Sequence, residues 1–133
     1  MITGTNHITL AATDLLRSVA FYRDLLGFHL RADWPRGAYL TSGDLWLCIT
    51  LVDAVAPRGD DSHIAFSVPR TAFPALVERL HDHVEIWQDN VSEGPSFYFL
   101  DPDGHKLELH VGGIENRLSH YRAHPDKGVR VYG

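Results

Sequence analysis

The sequence predicts an α+β fold that contains two repeats of a βαβββ unit. Three observations predict it: the same order of elements occurs twice, a segment with proline and glycine separates the copies, and polar residues alternate with apolar ones along the strands. A sheet with helices on its apolar face and a polar face that curls inward forms a cup. We therefore expect both repeats to form one cupped mixed sheet in a single domain of 133 residues.

The first repeat covers about residues 1–53. A β-like segment at 6–11 precedes a helix, for which Asp14 is the expected N-cap and Gly27 the stop. Strands are predicted at 28–33, 38–42 and 45–51. The helix is predicted from apolar residues at helical spacing, namely Leu15, Val19, Tyr22 and Leu26.

The second repeat covers about residues 62–112 and follows a linker at 54–61. It has a strand at 63–68, a helix, and strands at 84–87, 96–100 and 106–111, and a turn at 101–104 joins the last two. The second helix is predicted from Phe73, Leu76, Val77 and Leu80. The tail at 113–133 contains a polar stretch, 114–124, which we expect to be a terminal helix or irregular.

Composition excludes several classes of partner. The chain has 12 Lys and Arg against 17 Asp and Glu, a net charge of −5, and no basic run that could follow a phosphate backbone, so nucleic acid is excluded as a partner. The apolar runs are shorter than the ~20 residues of a membrane helix. Cys48 is the single cysteine, so no intrachain disulfide forms. These observations favour a cytoplasmic protein.

Three residues of metal-ligand type occupy related positions in the repeats. We place His7 and His63 on the first strand of each repeat and Glu108 on the last strand of the second. The equivalent position of the first repeat lies near Trp46, which cannot bind a metal, so one coordination edge stays open for substrate. This set suits Mn, Fe(II) or Zn. Spacing alone leaves two alternatives: histidines that bond backbone or solvent, and a Glu108 that pairs with Lys106.

A second pattern is Asn90-x-Ser92-x-Gly94-x-Ser96. Alternate residues of this extended segment offer carbonyl and hydroxyl oxygens on one side, a shape that can surround a hard monovalent cation. The alternative interpretation is an ordinary polar loop with a glycine at its turn.

Taken together, several segments resemble the manganese- and potassium-dependent fosfomycin glutathione transferases of the vicinal oxygen chelate superfamily. The segments lie at 6–10, 21–28, 37–40, 45–48, 92–94 and 97–112, and the resemblance extends from Ile2 to about Gly128. The Phe21-Tyr22 to Gly27-Phe28 segment is generic to the superfamily. The full set in this order is specific to the transferases.

The resemblance implies a complete active site. It implies Mn(II) held by His7, His63 and Glu108, and K⁺ held by Asn90, Ser92, Gly94 and Ser96. It places Thr9, Ser92, Ser96, Tyr98 and Arg117 around the phosphonate and oxirane of fosfomycin, and Trp34, Tyr39, Trp46 and Cys48 on the side of the thiol, with glutathione as co-substrate. Thr9, Tyr39 and Arg117 are the expected catalytic residues, and the alternative role for Tyr39 is an inward aromatic that packs against Trp46. The resemblance also implies a homodimer in which His7 of one chain joins His63 and Glu108 of the other.

The chain departs from this family at two cationic positions and at one tyrosine. Gln88 stands where a lysine is common, Val91 where an arginine is expected, and Asp126 where a tyrosine is typical. Arg36 replaces a residue that is often neutral, and it offers a cation in compensation for the two that are lost. We expect Arg36 and Gln88 to contact substrate, and the loss of the cations at 88 and 91 leaves the substrate or the thiol open.

Two other functions compete with thiol transfer. The same metal set serves epoxide hydration, hemithioacetal isomerisation or Fe(II)-dependent ring cleavage in this superfamily, and hydration needs an extra carboxylate for which Asp44, a hairpin residue, is the only nearby candidate. A metal-free drug-binding protein is the alternative from another class. The presence of His7, His63 and Glu108 argues against it.

Overall fold

The computed structural model describes every residue from Met1 to Gly133. Its elements follow the order βαβββ, βαβββ and a terminal helix, which confirms the predicted α+β class and both repeats. The strands are β1 (Ile8–Ala12), β2 (His29–Trp34), β3 (Gly37–Ser42), β4 (Leu45–Leu51), β5 (Ile64–Ser67), β6 (Ile86–Gln88), β7 (Ser96–Leu100) and β8 (Lys106–His110). The α-helices are α1 (Leu15–Ala20), α2 (Phe73–His81) and α3 (Ile114–Ala123). No helix combines the length and the apolar character that a membrane span requires.

The chain divides into two compact units, which are described separately. The first unit comprises Met1–His63 and the short segment Leu100–Lys106. The second unit comprises Ile64–Phe99 and Leu107–Gly133. Each repeat supplies one four-stranded sheet.

The first sheet has the order β1-β4-β3-β2, with β1 parallel to β4 and antiparallel pairing elsewhere. Helix α1 packs against β3 and β4. Leu40, Leu47 and Ile49 are almost completely buried, whereas Tyr39 on the alternate positions is exposed. The period of two thus separates an apolar core face from a face with aromatic side chains.

The second sheet repeats this topology with the order β5-β8-β7-β6, and β5 is parallel to β8. In the register of this pair, Ile64 lies opposite Leu107 and Ala65 opposite Glu108. Leu107 and Leu109 are buried. The Trp87 indole N–H donates to the Leu107 carbonyl at 3.0 Å and so ties β6 to β8.

Helix α1 begins as predicted and ends differently. The Asp14 carboxylate caps it by accepting from the Arg17 amide at 3.1 Å. After Ala20 the chain forms a π-helical turn, Phe21–Leu25, before Gly27 stops it with a φ of +80°. The predicted uninterrupted helix was therefore wrong at its C-terminal end. The wider turn lets the neighbouring residues Phe21 and Tyr22 both be buried, and the Tyr22 hydroxyl donates to Asp101 at 2.8 Å.

The first strand of each repeat starts later than predicted. β1 begins at Ile8 and β5 at Ile64, so His7 and His63 each lie one residue before a strand. The starts are set by backbone pairing, which begins at Ile8 with β4 and at Ile64 with β8. Just before the strands, the His7 ring bonds to the Asn6 side chain and the His63 ring to the Asp61 carbonyl, each at 2.7 Å. β6 is also shorter than predicted, whereas the polar stretch after Gly113 forms a helix.

Candidate functional site

A buried polar cluster lies in the second sheet, between β7 and β8. The Glu108 side chain accepts a hydrogen bond from the Ser96 hydroxyl at 2.8 Å, and Glu108 is only 6% exposed. The ring Nδ1 of His110 contacts the same Ser96 hydroxyl and lies 3.3 Å from the same Glu108 oxygen. Lys106 instead donates to the Asp60 carbonyl. Glu108 is therefore buried and does not lie on a solvated edge.

The segment from Asn90 to Ser96 closes on itself through its own side chains. The Asn90 amide group donates to the Gly94 carbonyl at 3.0 Å, and its oxygen accepts from the backbone N–H and the hydroxyl of Ser92. The Ser92 and Ser96 hydroxyl oxygens are 3.1 Å apart. Gly94 has a φ of +82°, and a Cβ there would approach the Val111 carbonyl to 3.1 Å. The loop therefore presents closely spaced oxygens next to Glu108.

Arg117, on α3, carries a buried donor that has no acceptor. Its Nε is shielded from solvent and makes no hydrogen bond. The nearest carboxylate oxygen, from Glu93, is 3.9 Å away, which is too long for a hydrogen bond although it is close enough for an ionic contact. A buried N–H without a partner is costly in a native protein. An oxyanion at this position would satisfy it.

The hydrogen bonds of the two candidate histidines fix their tautomers. An amide or carbonyl oxygen can only accept, so Nδ1 of His7 and of His63 must donate to Asn6 and Asp61 respectively. In the neutral imidazole the lone pair then lies on Nε2, the nitrogen available for a metal. Both side chains are exposed in the chain. Their chemistry fits a divalent metal.

In the first unit, aromatic rings form a row along the open face of the sheet. Trp34 contacts Tyr39 edge to face at a centroid distance of 4.8 Å, and Tyr39 contacts Trp46 in the same way at 5.3 Å. The His7 ring lies 4.6 Å from Trp46. Trp34 and Tyr39 are accessible, because they are 41% and 38% exposed. The packing of Tyr39 against Trp46, one of its two predicted roles, is thus present.

The remaining predicted residues of the first unit lie on or beside this face. Thr9 is exposed on β1, opposite Cys48 of β4 in the ladder, and Cys48 is buried as a free thiol. Arg36 follows Trp34 in the β2–β3 turn, and its guanidinium donates to the Leu51 carbonyl at 3.0 Å.

The other predicted residues lie in the second unit. Tyr98 is buried, and its hydroxyl donates to Ser92 at 3.5 Å. Gln88 ends β6 and is half-buried, while Val91 is 82% exposed.

No group of three His, Cys, Asp or Glu side chains within the chain is arranged to hold a metal ion. The structure brings Glu108, Ser96 and Ser92 together in one unit, and Trp34, Tyr39, Trp46 and His7 in the other.

Sequence reasoning missed His110 as part of the polar cluster. Alternation had placed it on the same face as Glu108, and this was the available signal. A strand histidine two residues from a carboxylate on the same face could have been recognised as its neighbour. Apart from its position next to His7, nothing in the sequence indicated that Asn6 accepts a hydrogen bond from the His7 ring.

Three comparisons with known proteins identify the family. The model of the Glyoxalase/Bleomycin resistance protein/Dioxygenase superfamily matches residues 4–109. Glutathione transferase FosA of Serratia marcescens is 51% identical over 134 residues, which covers 97% of this chain and 95% of that protein. Metallothiol transferase FosB of Staphylococcus epidermidis is 36% identical over 130 residues, 92% of this chain and 93% of that protein.

Comparison with solved structures leads to the same family. The fosfomycin resistance protein FosX of Listeria monocytogenes, in a mutant form with Mn(II) and 1S,2S-dihydroxypropylphosphonic acid, superposes with a TM-score of 0.82 at 32% identity, covering 91% of this chain and 99% of that one. These relatives confirm the resemblance drawn from the sequence segments. The chain belongs to the Glyoxalase/Bleomycin resistance protein/Dioxygenase superfamily and, within it, to the fosfomycin resistance enzymes.

Proposed function

We propose that this protein inactivates fosfomycin by adding a thiol to its epoxide. The thiol expected first is glutathione. The observation that carries the proposal is the buried Arg117 Nε without an acceptor. Fosfomycin presents a phosphonate, whose oxygens accept charge-assisted hydrogen bonds from a guanidinium. The similarity to a glutathione transferase at 51% identity supports glutathione as the thiol.

The donor set fits a divalent metal such as Mn(II). Glu108 supplies a carboxylate, and His7 and His63 supply imidazoles whose Nε2 lone pairs are defined by their Nδ1 bonds. The Ser96 hydroxyl, which donates to the Glu108 carboxylate, would fix the orientation of that carboxylate. Mn(II), when bound, supplies Lewis acidity that stabilises negative charge developing on the oxirane oxygen.

The reaction itself is an addition in which atoms balance. The thiol sulfur forms a bond to an oxirane carbon, the bond from that carbon to the ring oxygen breaks, and the proton lost by the thiol ends on this oxygen. Arg117 would bind the phosphonate together with Thr9, Tyr98 and the serines of the loop. Tyr39 would hydrogen-bond the incoming sulfur, since its ring orientation is set by contacts with Trp34 and Trp46. Trp46 and Cys48 would border the same pocket.

A potassium ion is part of the proposal. The Ser92 and Ser96 hydroxyls, 3.1 Å apart, and the Gly94 carbonyl offer hard oxygen ligands, with Asn90 bracing the loop. A cation here would add to Arg117 in neutralising a phosphonate dianion. Arg36 and Gln88 would adjust which thiol is accepted.

We also propose that the active protein is a cytoplasmic homodimer with shared metal sites. In this arrangement His7 of one chain joins His63 and Glu108 of its partner, as two-fold symmetry allows.

A resistance assay tests the function. We expect expression of the protein to raise the fosfomycin concentration that a sensitive, glutathione-producing bacterial strain survives, and Glu108→Gln to abolish this protection. Glu85→Gln, an exposed carboxylate of the same unit, is the matched control and should protect fully. Equal protection by wild type and Glu108→Gln would contradict the proposal.

A further inference from the structure

The aromatic row of the first unit depends on a residue without a side chain. Trp34 and Gly37 are paired at the two ends of the β2–β3 turn. A Cβ added at Gly37 would lie 2.5 Å from Cζ2 and 2.7 Å from Cε2 of the Trp34 indole. Such distances are far below a van der Waals contact, so the indole lies directly across Gly37 and occupies the space that any other residue would fill.

Backbone conformation does not explain this glycine. Gly37 is absent from the glycines with positive φ, and it lies within a regular antiparallel ladder, opposite Thr50 of β4. Any L-residue can adopt such an extended conformation. The neighbouring turn is already fixed, because Arg36 and Leu51 exchange a backbone and a side-chain hydrogen bond at 2.9 and 3.0 Å. What a side chain at this position would meet is the indole at 2.5 Å and, less closely, the Ile49 carbonyl at 2.9 Å.

The position of the indole in turn sets the rest of the row. Trp34 meets Tyr39 edge to face, and Tyr39 meets Trp46 at an interplanar angle of 89°. Since Trp34 is 41% exposed, its neighbours Gly37 and Tyr39 restrict it more than a surrounding core does. An indole displaced from Gly37 would lose its contact with Tyr39 and leave that phenol held on one side only.

We propose that Gly37 is a positioning residue for thiol binding, because it lets Trp34 lie flat at the outer end of an aromatic platform that continues through Tyr39 and Trp46 to His7. The ligand would be a thiol of extended, peptide-like form, whose amide planes and alkyl segments pack on the rings while its sulfur reaches Tyr39. This inference rests on the proposed thiol transfer. It adds that binding of the thiol depends on Gly37, whereas binding of the phosphonate does not.

The test is a double-mutant cycle between Gly37→Ala and Trp34→Ala, measured by the affinity of the purified metal-loaded protein for glutathione and by KM for glutathione and for fosfomycin. In the wild-type background, we expect Gly37→Ala to weaken glutathione binding and raise its KM about fivefold, with kcat and the KM for fosfomycin within about twofold. In the Trp34→Ala background, the same substitution should change glutathione affinity by less than about twofold. The cycle is needed because the added Cβ would also lie 2.9 Å from the Ile49 carbonyl, a contact that Trp34→Ala leaves in place.

Each outcome decides the inference. Equal losses of glutathione affinity in both backgrounds, or a matching rise in the KM for fosfomycin, would show that Gly37 is needed by the strand and would overturn it. If Gly37→Ala alone fails to fold while the double variant folds, the indole is the obstacle, and the inference then requires that Trp34→Ala alone bind glutathione more weakly than wild type; equal affinity would overturn it. If both variants fail to fold, the Ile49 carbonyl is the obstacle and the inference falls. Wild-type protein that binds glutathione without turning over fosfomycin would contradict only the proposed function.

Discussion

The guanidinium of Arg117 shows how a single side chain can predict a ligand. Its Nε is buried without a hydrogen bond, and the Glu93 carboxylate stands off at 3.9 Å. A buried donor that lacks an acceptor costs about 1–3 kcal/mol. An oxyanion that accepts from this Nε would remove the cost, so the arrangement is suited to binding one.

Replacing Arg117 tests that assignment. We expect Arg117→Ala to raise the KM for fosfomycin by roughly tenfold to a hundredfold, as loss of a charged hydrogen bond worth about 1.5–3 kcal/mol implies, while the KM for the thiol changes little. Arg122→Ala, an exposed arginine of the same helix, is the control. An unchanged KM for fosfomycin in steady-state kinetics would remove Arg117 from the phosphonate site.

At the scale of single residues, the sequence indicated which residues could act as ligands, but it did not indicate how buried each of them is. Alternation placed Glu108 and His110 on one face of a strand, and both do contact Ser96. It could not show that Glu108 would be nearly as buried as the leucines beside it, because burial depends on which strands and loops cover a face. Nor could spacing reveal the contact between Trp34 and Gly37, which arises from the turn geometry.

Among the elements, the loop from Asn90 to Ser96 carries the clearest prediction. Its oxygens lie close together because Asn90 braces the loop and Gly94 takes a positive φ. If these oxygens bind potassium, turnover should rise severalfold in K⁺ and much less in Na⁺. The reason is that Na⁺ is smaller and is poorly coordinated by oxygens spaced for K⁺. A series of chloride salts at constant ionic strength removes general screening. Equal rates in both salts would leave the loop as ordinary structure.

A second prediction concerns the π-helical turn that follows α1. Burial, and then the Asp101 carboxylate, raise the pKa of Tyr22 well above its ordinary value, so the phenol stays protonated and donates to Asp101 at every accessible pH. Tyr22→Phe leaves that carboxylate oxygen without its donor and should lower the free energy of unfolding by about 1–3 kcal/mol. Denaturant unfolding of metal-free protein measures it. Tyr132→Phe, which is 78% exposed, should be neutral, and an equally neutral Tyr22→Phe would contradict the account.

The elements themselves were largely predictable. The bounds of β4 and β7, and the turn from Asp101 to Gly104, follow from alternation and turn residues as expected. The π-helical turn could not be predicted, because the apolar stripe of Leu15, Val19 and Tyr22 fits a regular helix equally well. The starts of β1 and β5 could not be predicted exactly, because they depend on where the backbone pairs with β4 and β8, which begins at Ile8 and at Ile64.

At the scale of the whole molecule, the proposed active form is a homodimer with shared sites. Homodimers of His7→Ala and of Glu108→Ala should each be inactive, because every site lacks one ligand. In a mixed dimer one site would be intact and the other would lack both ligands. Co-refolding the two variants should therefore restore up to about half of wild-type activity per mixed dimer. No recovery in confirmed mixed dimers would mean that the three ligands do not come from two chains in this way.

The central claim is that a thiol, and not water, opens the epoxide of fosfomycin in this protein. It is tested most directly by incubating the wild-type protein with fosfomycin, Mn(II), K⁺ and glutathione in heavy-oxygen water and identifying the product by phosphorus NMR and mass spectrometry. The account predicts a phosphonate that carries glutathione and no solvent oxygen, and reactions that omit the thiol should leave fosfomycin intact. A diol phosphonate labelled with solvent oxygen, or unreacted fosfomycin in the presence of every thiol tried, would contradict it.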